Sequence, residues 1–161
     1  MRISLLLDPV YPQWRYCLLL VPIALVPSAC LFLAASHAFG LAGADTTSMS
    51  PPALVLSAGE FFGVVVFAPV VETYVLAGFI GLLARAKFGP LSMVLMSALL
   101  WGCLHAVFGL LWFFGTVWTF AALSSAYIAW RRVSFRRAYV AAFVPHVLIN
   151  LSVFALVLAG I

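Results

Sequence analysis

Charge is what this sequence most lacks. Only 7% of its 161 residues are Asp, Glu, Lys or Arg, against about a quarter in water-soluble domains, too few to clothe a surface facing water. That scarcity excludes a soluble fold. Acidic residues are the scarcer kind, four against eight Lys or Arg, which leaves a net charge of +4. In so apolar a chain the basic excess reads as loop charge that orients helices in a membrane, and no nucleic-acid partner is expected. Cysteine is sparse too. Cys17, Cys30 and Cys103 sit in apolar runs without metal-ligand spacing, so neither a disulfide framework nor a zinc knuckle follows. The opening MRISLLLDPVYPQWRY is too weakly apolar for a signal-peptide core, and no cleavage is expected. No internal repeat, low-complexity tract or composition shift divides the chain, so residues 1–161 are read as a single domain.

What the sequence does have is hydrophobic length. Two thirds of it is apolar (66%) and its mean hydropathy is +1.23, which predicts an all-α integral membrane protein in contact with lipid. Runs of about 20 apolar residues between charge or turn signals place five transmembrane helices at residues 17–38, 54–84, 90–108, 110–130 and 138–160. The second run is too long for one straight crossing of a hydrocarbon core about 30 Å thick, so it tilts, kinks at Pro69 or begins outside. Ser57-Ala58-Gly59-Glu60 has the form of a capping box that opens its helix. Residues 90–130 make about 60 Å of helix and must be divided by a turn, at Gly109 in preference to Gly115, because Gly109 leaves two spans of ordinary length. Gly59, Gly63, Gly78, Gly81 and Gly102 are read as sites of close helix approach.

The basic residues test this topology. Arg2 and Arg15 precede the first span, Arg85 and Lys87 separate the second and third, and Arg131, Arg132, Arg136 and Arg137 separate the fourth and fifth. A cytoplasmic N-terminus puts all three groups on the cytoplasmic side, as the positive-inside bias requires, and leaves the C-terminus exterior.

Against this scaffold the informative residues are those a bilayer should exclude: Glu72, His105 and His146, joined by Asn150 four residues after His146 on the same helix face. Counted from the basic ends of their spans at about 1.5 Å per residue, all four lie about 14 to 21 Å deep, near the midplane. A single such residue can serve as interhelical glue. Four at one depth on three helices, with no Lys or Arg inside the spans to neutralise Glu72, predict a shared site. Glu60 near the outer interface and His37 at the end of the first span are read as structural, as are the helix-face aromatics Tyr74 and Trp101. A carboxylate to activate a water, an imidazole to share its protons, and a second imidazole with a carboxamide to hold an oxyanion are the parts of a peptide-bond hydrolase. One carboxylate and two imidazoles also make a zinc triad. Without an HExxH motif zinc is the minority reading, and no cofactor is expected.

The same residues carry a resemblance. Ala68-Pro69-Val70-Val71-Glu72-Thr73-Tyr74-Val75-Leu76-Ala77-Gly78, then Trp101 to His105 as aromatic-xxx-His, then His146-Val147-Leu148-Ile149-Asn150 as HxxxN, resemble the three motifs of the CPBP family. That family includes type II CAAX prenyl endopeptidases, bacteriocin-immunity-associated proteins and relatives such as myxosortases, proposed to process C-terminal sorting signals. The likeness runs from about Gly59 to Asn150, including the basic turn before the third motif. The usual first motif is EExxxR, and here Thr73 replaces the second glutamate and Ala77 the arginine, a joint loss in keeping with deletion of a structural ion pair. The resemblance implies a metal-free glutamic intramembrane protease. In it Glu72 and His105 hold and activate the water, while His146 and Asn150 stabilise the oxyanion. The implied partner is a peptide or protein substrate with a membrane-embedded tail, prenylated or a sorting signal. The expected location is the cytoplasmic (inner) membrane of a bacterium or archaeon. Two other readings stand beside it: a non-catalytic binding or immunity-type factor on the same scaffold, and a small proton-coupled transporter. No internal duplication favours the transporter, and the residues do not set the oligomeric state.

Overall fold

The computed structural model describes residues 12–160; Arg2, counted above among the orienting charges, lies outside them. The described chain is all helical: α1 (Gln13–Leu41), a single turn α2 (Thr46–Met49), α3 (Ala58–Arg85), α4 (Pro90–Ala106), α5 (Leu110–Arg131) and α6 (Phe135–Leu158). Four of these, α1, α3, α5 and α6, are long and apolar enough to cross a membrane, while α4 is a shorter apolar helix. The five spans read from the sequence therefore recur as four long helices and one of 17 residues.

Turn chemistry sets the boundaries. The stretch before Ser57 is not helical, so the second apolar run begins outside its helix, as the length argument allows. Ser57 is the N-cap, its Oγ accepting from the Glu60 N–H at 3.1 Å. The reciprocal half of the capping box is not formed, because the Ser57 N–H donates to the Val55 carbonyl instead (2.8 Å). Gly109 divides α4 from α5 as predicted. Its backbone is extended (φ 169°), so the constraint there is space: a methyl group would land on the Ser50 carbonyl, with the Met49 carbonyl oxygen 2.9 Å away. Only one of the five glycines assigned to close helix approach does that work. A Cβ on Gly102 would meet the Phe113 ring at 2.8 Å, so α4 and α5 close there. Gly63, Gly78 and Gly81 have nothing within 4 Å and Gly59 meets only its neighbour Ser57, because these faces of α3 turn away from the other helices.

The centre of the bundle is α5. Every residue from Ala122 to Trp130 is buried, which for a helix means neighbours on all sides; α1, α4 and α6 supply them. Small hydroxyls tie α5 to its neighbours, Ser28 to Thr119 at 2.8 Å and Ser97 to Ser124 at 2.9 Å. α3 lies at the edge, packed mainly against α6. Alternation of direction brings every described basic residue to one end, at the start of α1, the end of α3, the α3–α4 turn, and the end of α5 with the start of α6. Asp45 and Glu60 stand at the opposite end.

Proline shapes the two edge crossings. Pro27 in α1 has no N–H for the Ile23 carbonyl, and the Trp118 indole of α5 donates to that oxygen instead (2.9 Å). In α3 the six residues Phe62–Phe67 are wound as a π-helix. Ala68 N–H reaches back to Gly63 rather than Val64, and Pro69 has no N–H to offer. The Val64 carbonyl is thereby stranded by its own helix, an expensive condition in a bilayer.

Candidate functional site

The stranded carbonyl explains one of the four predicted site residues. Asn150 of α6 donates from Nδ2 to the Val64 oxygen at 2.8 Å, repairing the backbone defect as Trp118 does in α1. One of its two amide hydrogens is thus engaged in holding the π-helical segment.

One turn beyond Pro69 on α3 stands Glu72. It meets His146, four residues before Asn150 on α6, with Oε2 and Nε2 3.3 Å apart. The Glu72 side chain is 22% exposed and that of His146 4%. One partner is thus enclosed while the other keeps an open flank. Among the described residues His146 Nδ1 has no hydrogen-bond partner, and the polar contact of this ring runs through Nε2 to Glu72.

His105 stands apart from this pair. It lies in the last turn of α4, one residue from the helix end. Counted from Leu91 it is about 21 Å along the helix, and because α4 stops at Ala106, before the limit of 108 read from the sequence, that places it close to the helix end. Among the described residues the only ion pair of Glu72 is with His146. His105 instead shares a platform with it: the Phe120 ring lies 5.6 Å from the His105 ring and 5.4 Å from that of His146. His105 Nδ1 is 2.8 Å from the Trp101 carbonyl. A carbonyl only accepts, so Nδ1 carries the proton there and Nε2 of the neutral ring presents its lone pair. Trp101, read as a packing aromatic, stacks on Phe120 at 4.6 Å and completes this wall.

The arrangement can hold and move a proton between Glu72 and His146, and it offers a second basic nitrogen on His105, whose ring packs on the same Phe120. It does not assemble a zinc triad. Among the described residues no three His, Cys, Asp or Glu side chains are grouped to hold a metal ion, and His105 sits apart from the Glu72–His146 pair. Thr73 and Ala77, at the positions where the resembled motif carries charge, lie on the buried face of α3. Small side chains suit that packed interior.

Two contributors left no sign in the sequence. Phe120 is one apolar residue among many, and only the fold brings its ring beside both imidazoles. Tyr139 of α6 reaches the Val70 carbonyl (3.3 Å) and packs on Tyr74 (ring centroids 4.5 Å), a second clasp on the Glu72 turn. For Asn150 a signal existed, since a proline inside an apolar helix announces a carbonyl in want of a donor. No family model, curated protein or solved structure matches this chain.

Proposed function

We propose that this chain is a multi-pass intramembrane endopeptidase in which Glu72 activates a water to hydrolyse a peptide bond near the C-terminal end of a membrane-associated protein. The observation that carries the reading is the 3.3 Å contact between Glu72 and His146 on two apolar helices. Ionisable residues at such positions are costly, and packing alone does not call for them. The motif resemblance to the CPBP proteases, which draws on α3, α4 and α6, supports the same chemistry.

In this reading Glu72 takes a proton from the water as its oxygen attacks the scissile carbonyl carbon, and the proton passes to the leaving amine as the tetrahedral intermediate collapses. His146 fixes the orientation of Glu72. His105, with Nδ1 held by the Trp101 carbonyl, accepts a hydrogen bond from the same water through Nε2. Asn150 keeps its second amide hydrogen for the oxyanion while the first secures the π-helical turn.

The membrane placement belongs to the proposal as well. α4, with 17 residues, makes a fifth crossing of about 25 Å, at the short end of what a bilayer accepts. The basic end faces the cytoplasm of a bacterial or archaeal inner membrane, so the segment holding Asp45 is exterior. The Glu72–His146 pair then works from within the bundle on a tail that shares the bilayer.

The test is cleavage of co-expressed candidate membrane-tail substrates by the wild type and by Glu72→Gln, His105→Ala and His146→Ala, each with and without a zinc chelator. Product from the wild type alone, indifferent to chelator, is the expected result. A wild type that retains substrates in pull-downs and cuts none of them overturns the catalytic reading in favour of the binding factor.

A further inference from the structure

The basic end holds a cavity that the catalytic reading does not use. It lies between the starts of α1 and α6, has a volume of about 730 Å³, and is lined by Gln13, Trp14, Ser134, Arg136, Arg137 and Val140 among others. That volume is in the range of small-ligand sites, about 300–1,000 Å³. Its walls are built. Gln13 Nε2 donates to the Arg137 carbonyl at 2.7 Å, which locks the two helix starts together. Ser134 caps α6 by accepting from the Arg137 N–H at 3.1 Å. Arg136 and Arg137 are exposed, and Arg15, Arg131 and Arg132 lie on the adjoining helix ends. Among the described residues the carboxylates are elsewhere, Asp45 and Glu60 at the opposite end and Glu72 inside the bundle.

Two exposed guanidinium groups beside the positive first turn of a 24-residue helix fit one ligand chemistry, a phosphate. The position selects its source. Trp14, 61% exposed, sits at the start of a helix long and apolar enough to cross the membrane, where aromatic residues mark the headgroup level. Val140 supplies an apolar flank for what lies below a headgroup. Basic pockets between membrane helices on the cytoplasmic side receive anionic headgroups by this combination. We propose that the cavity between α1 and α6 is a binding site for the phosphate of an anionic phospholipid, held by Arg136 and Arg137. The site rests on the membrane placement proposed above and is independent of the endopeptidase chemistry.

Binding is read on the purified full-length chain by native mass spectrometry of lipid adducts, titrating phosphatidylglycerol against phosphatidylcholine. The wild type is expected to retain phosphatidylglycerol preferentially. Arg136→Gln with Arg137→Gln should weaken that binding by about 30-fold, from about fivefold per arginine near a membrane surface. Arg85→Gln with Lys87→Gln removes the same charge from the same end outside the cavity, and should leave binding within about threefold because screening confines each charge to its surroundings. Thermal unfolding checks that each pair folds. Should the first pair fail to fold, the single variants Arg136→Gln and Arg137→Gln decide, at about fivefold each. Equal losses in both pairs overturn the site in favour of a diffuse surface field, and absence of lipid preference in the wild type overturns it outright. Millimolar inorganic phosphate provides the remaining arm. Retention of the lipid against it supports a headgroup site, and displacement identifies a free-phosphate site instead.

Discussion

α1 and α3 are both long apolar helices broken by proline, and both are repaired by a side chain from a neighbouring helix. Trp118 donates to the Ile23 carbonyl above Pro27, and Asn150 donates to the Val64 carbonyl above Pro69. There the likeness stops. The buried polar contact that α1 makes nearby is a neutral hydroxyl pair, Ser28 with Thr119. The contact one turn past the α3 repair is a carboxylate against an imidazole. Hydroxyl pairs and carbonyl repairs are how a membrane bundle satisfies its polar groups and fixes its packing. A Glu–His pair at the same kind of place is more than packing asks for, and it is the feature on which the proposed function rests.

Variants can break that contrast. The largest effect is expected at Glu72→Gln, which keeps the shape and an acceptor for His146 but cannot take a proton; cleavage should fall by about 10²–10⁴-fold with the melting temperature nearly unchanged. Undiminished cleavage would remove Glu72 from the chemistry. Next is Asn150→Leu, which strands the Val64 carbonyl and should cost about 2 kcal/mol in detergent unfolding. Unlike a purely structural change, it should also lower kcat, both by displacing the Glu72 turn and by removing the amide proposed to hold the oxyanion. Trp118→Phe makes the matching defect in α1. It is expected to cost about 1 kcal/mol with kcat intact, and equal loss of turnover in the two variants would erase the distinction between the helices. A smaller effect, on packing alone, is expected at Ser124→Ala: about 0.6 kcal/mol, the average for interhelical hydrogen bonds in a membrane. The double variant with Ser97→Ala should cost no more, since it leaves no stranded hydroxyl; additive losses would show that the two serines act independently.

Much of this arrangement was legible residue by residue. Ser57 announced a helix start because its hydroxyl meets the free N–H groups of a first turn, and it caps α3 in that way. Gly109 announced a turn because the apolar run around it is about twice the membrane thickness. The Val64 defect was half legible: Pro69 declares a missing donor, but nothing local says that the preceding turn winds as a π-helix or which residue answers it. His105 comes in the last turn of α4 because the helix stops at Ala106, two residues before the limit of 108 read from the apolar run.

Membrane residence, the helical class, the approximate extent of the long helices and the four polar residues worth attention were all available from the sequence. Those follow from composition, run length and local backbone chemistry, which depend on neighbours along the chain. That Glu72 meets His146, that Asn150 serves Val64 and that Phe120 packs beside both imidazoles came from the folded bundle. Such pairings depend on how each helix is rotated about its axis and where it ends, and these are set by packing against α5 and α6 rather than by spacing along the chain.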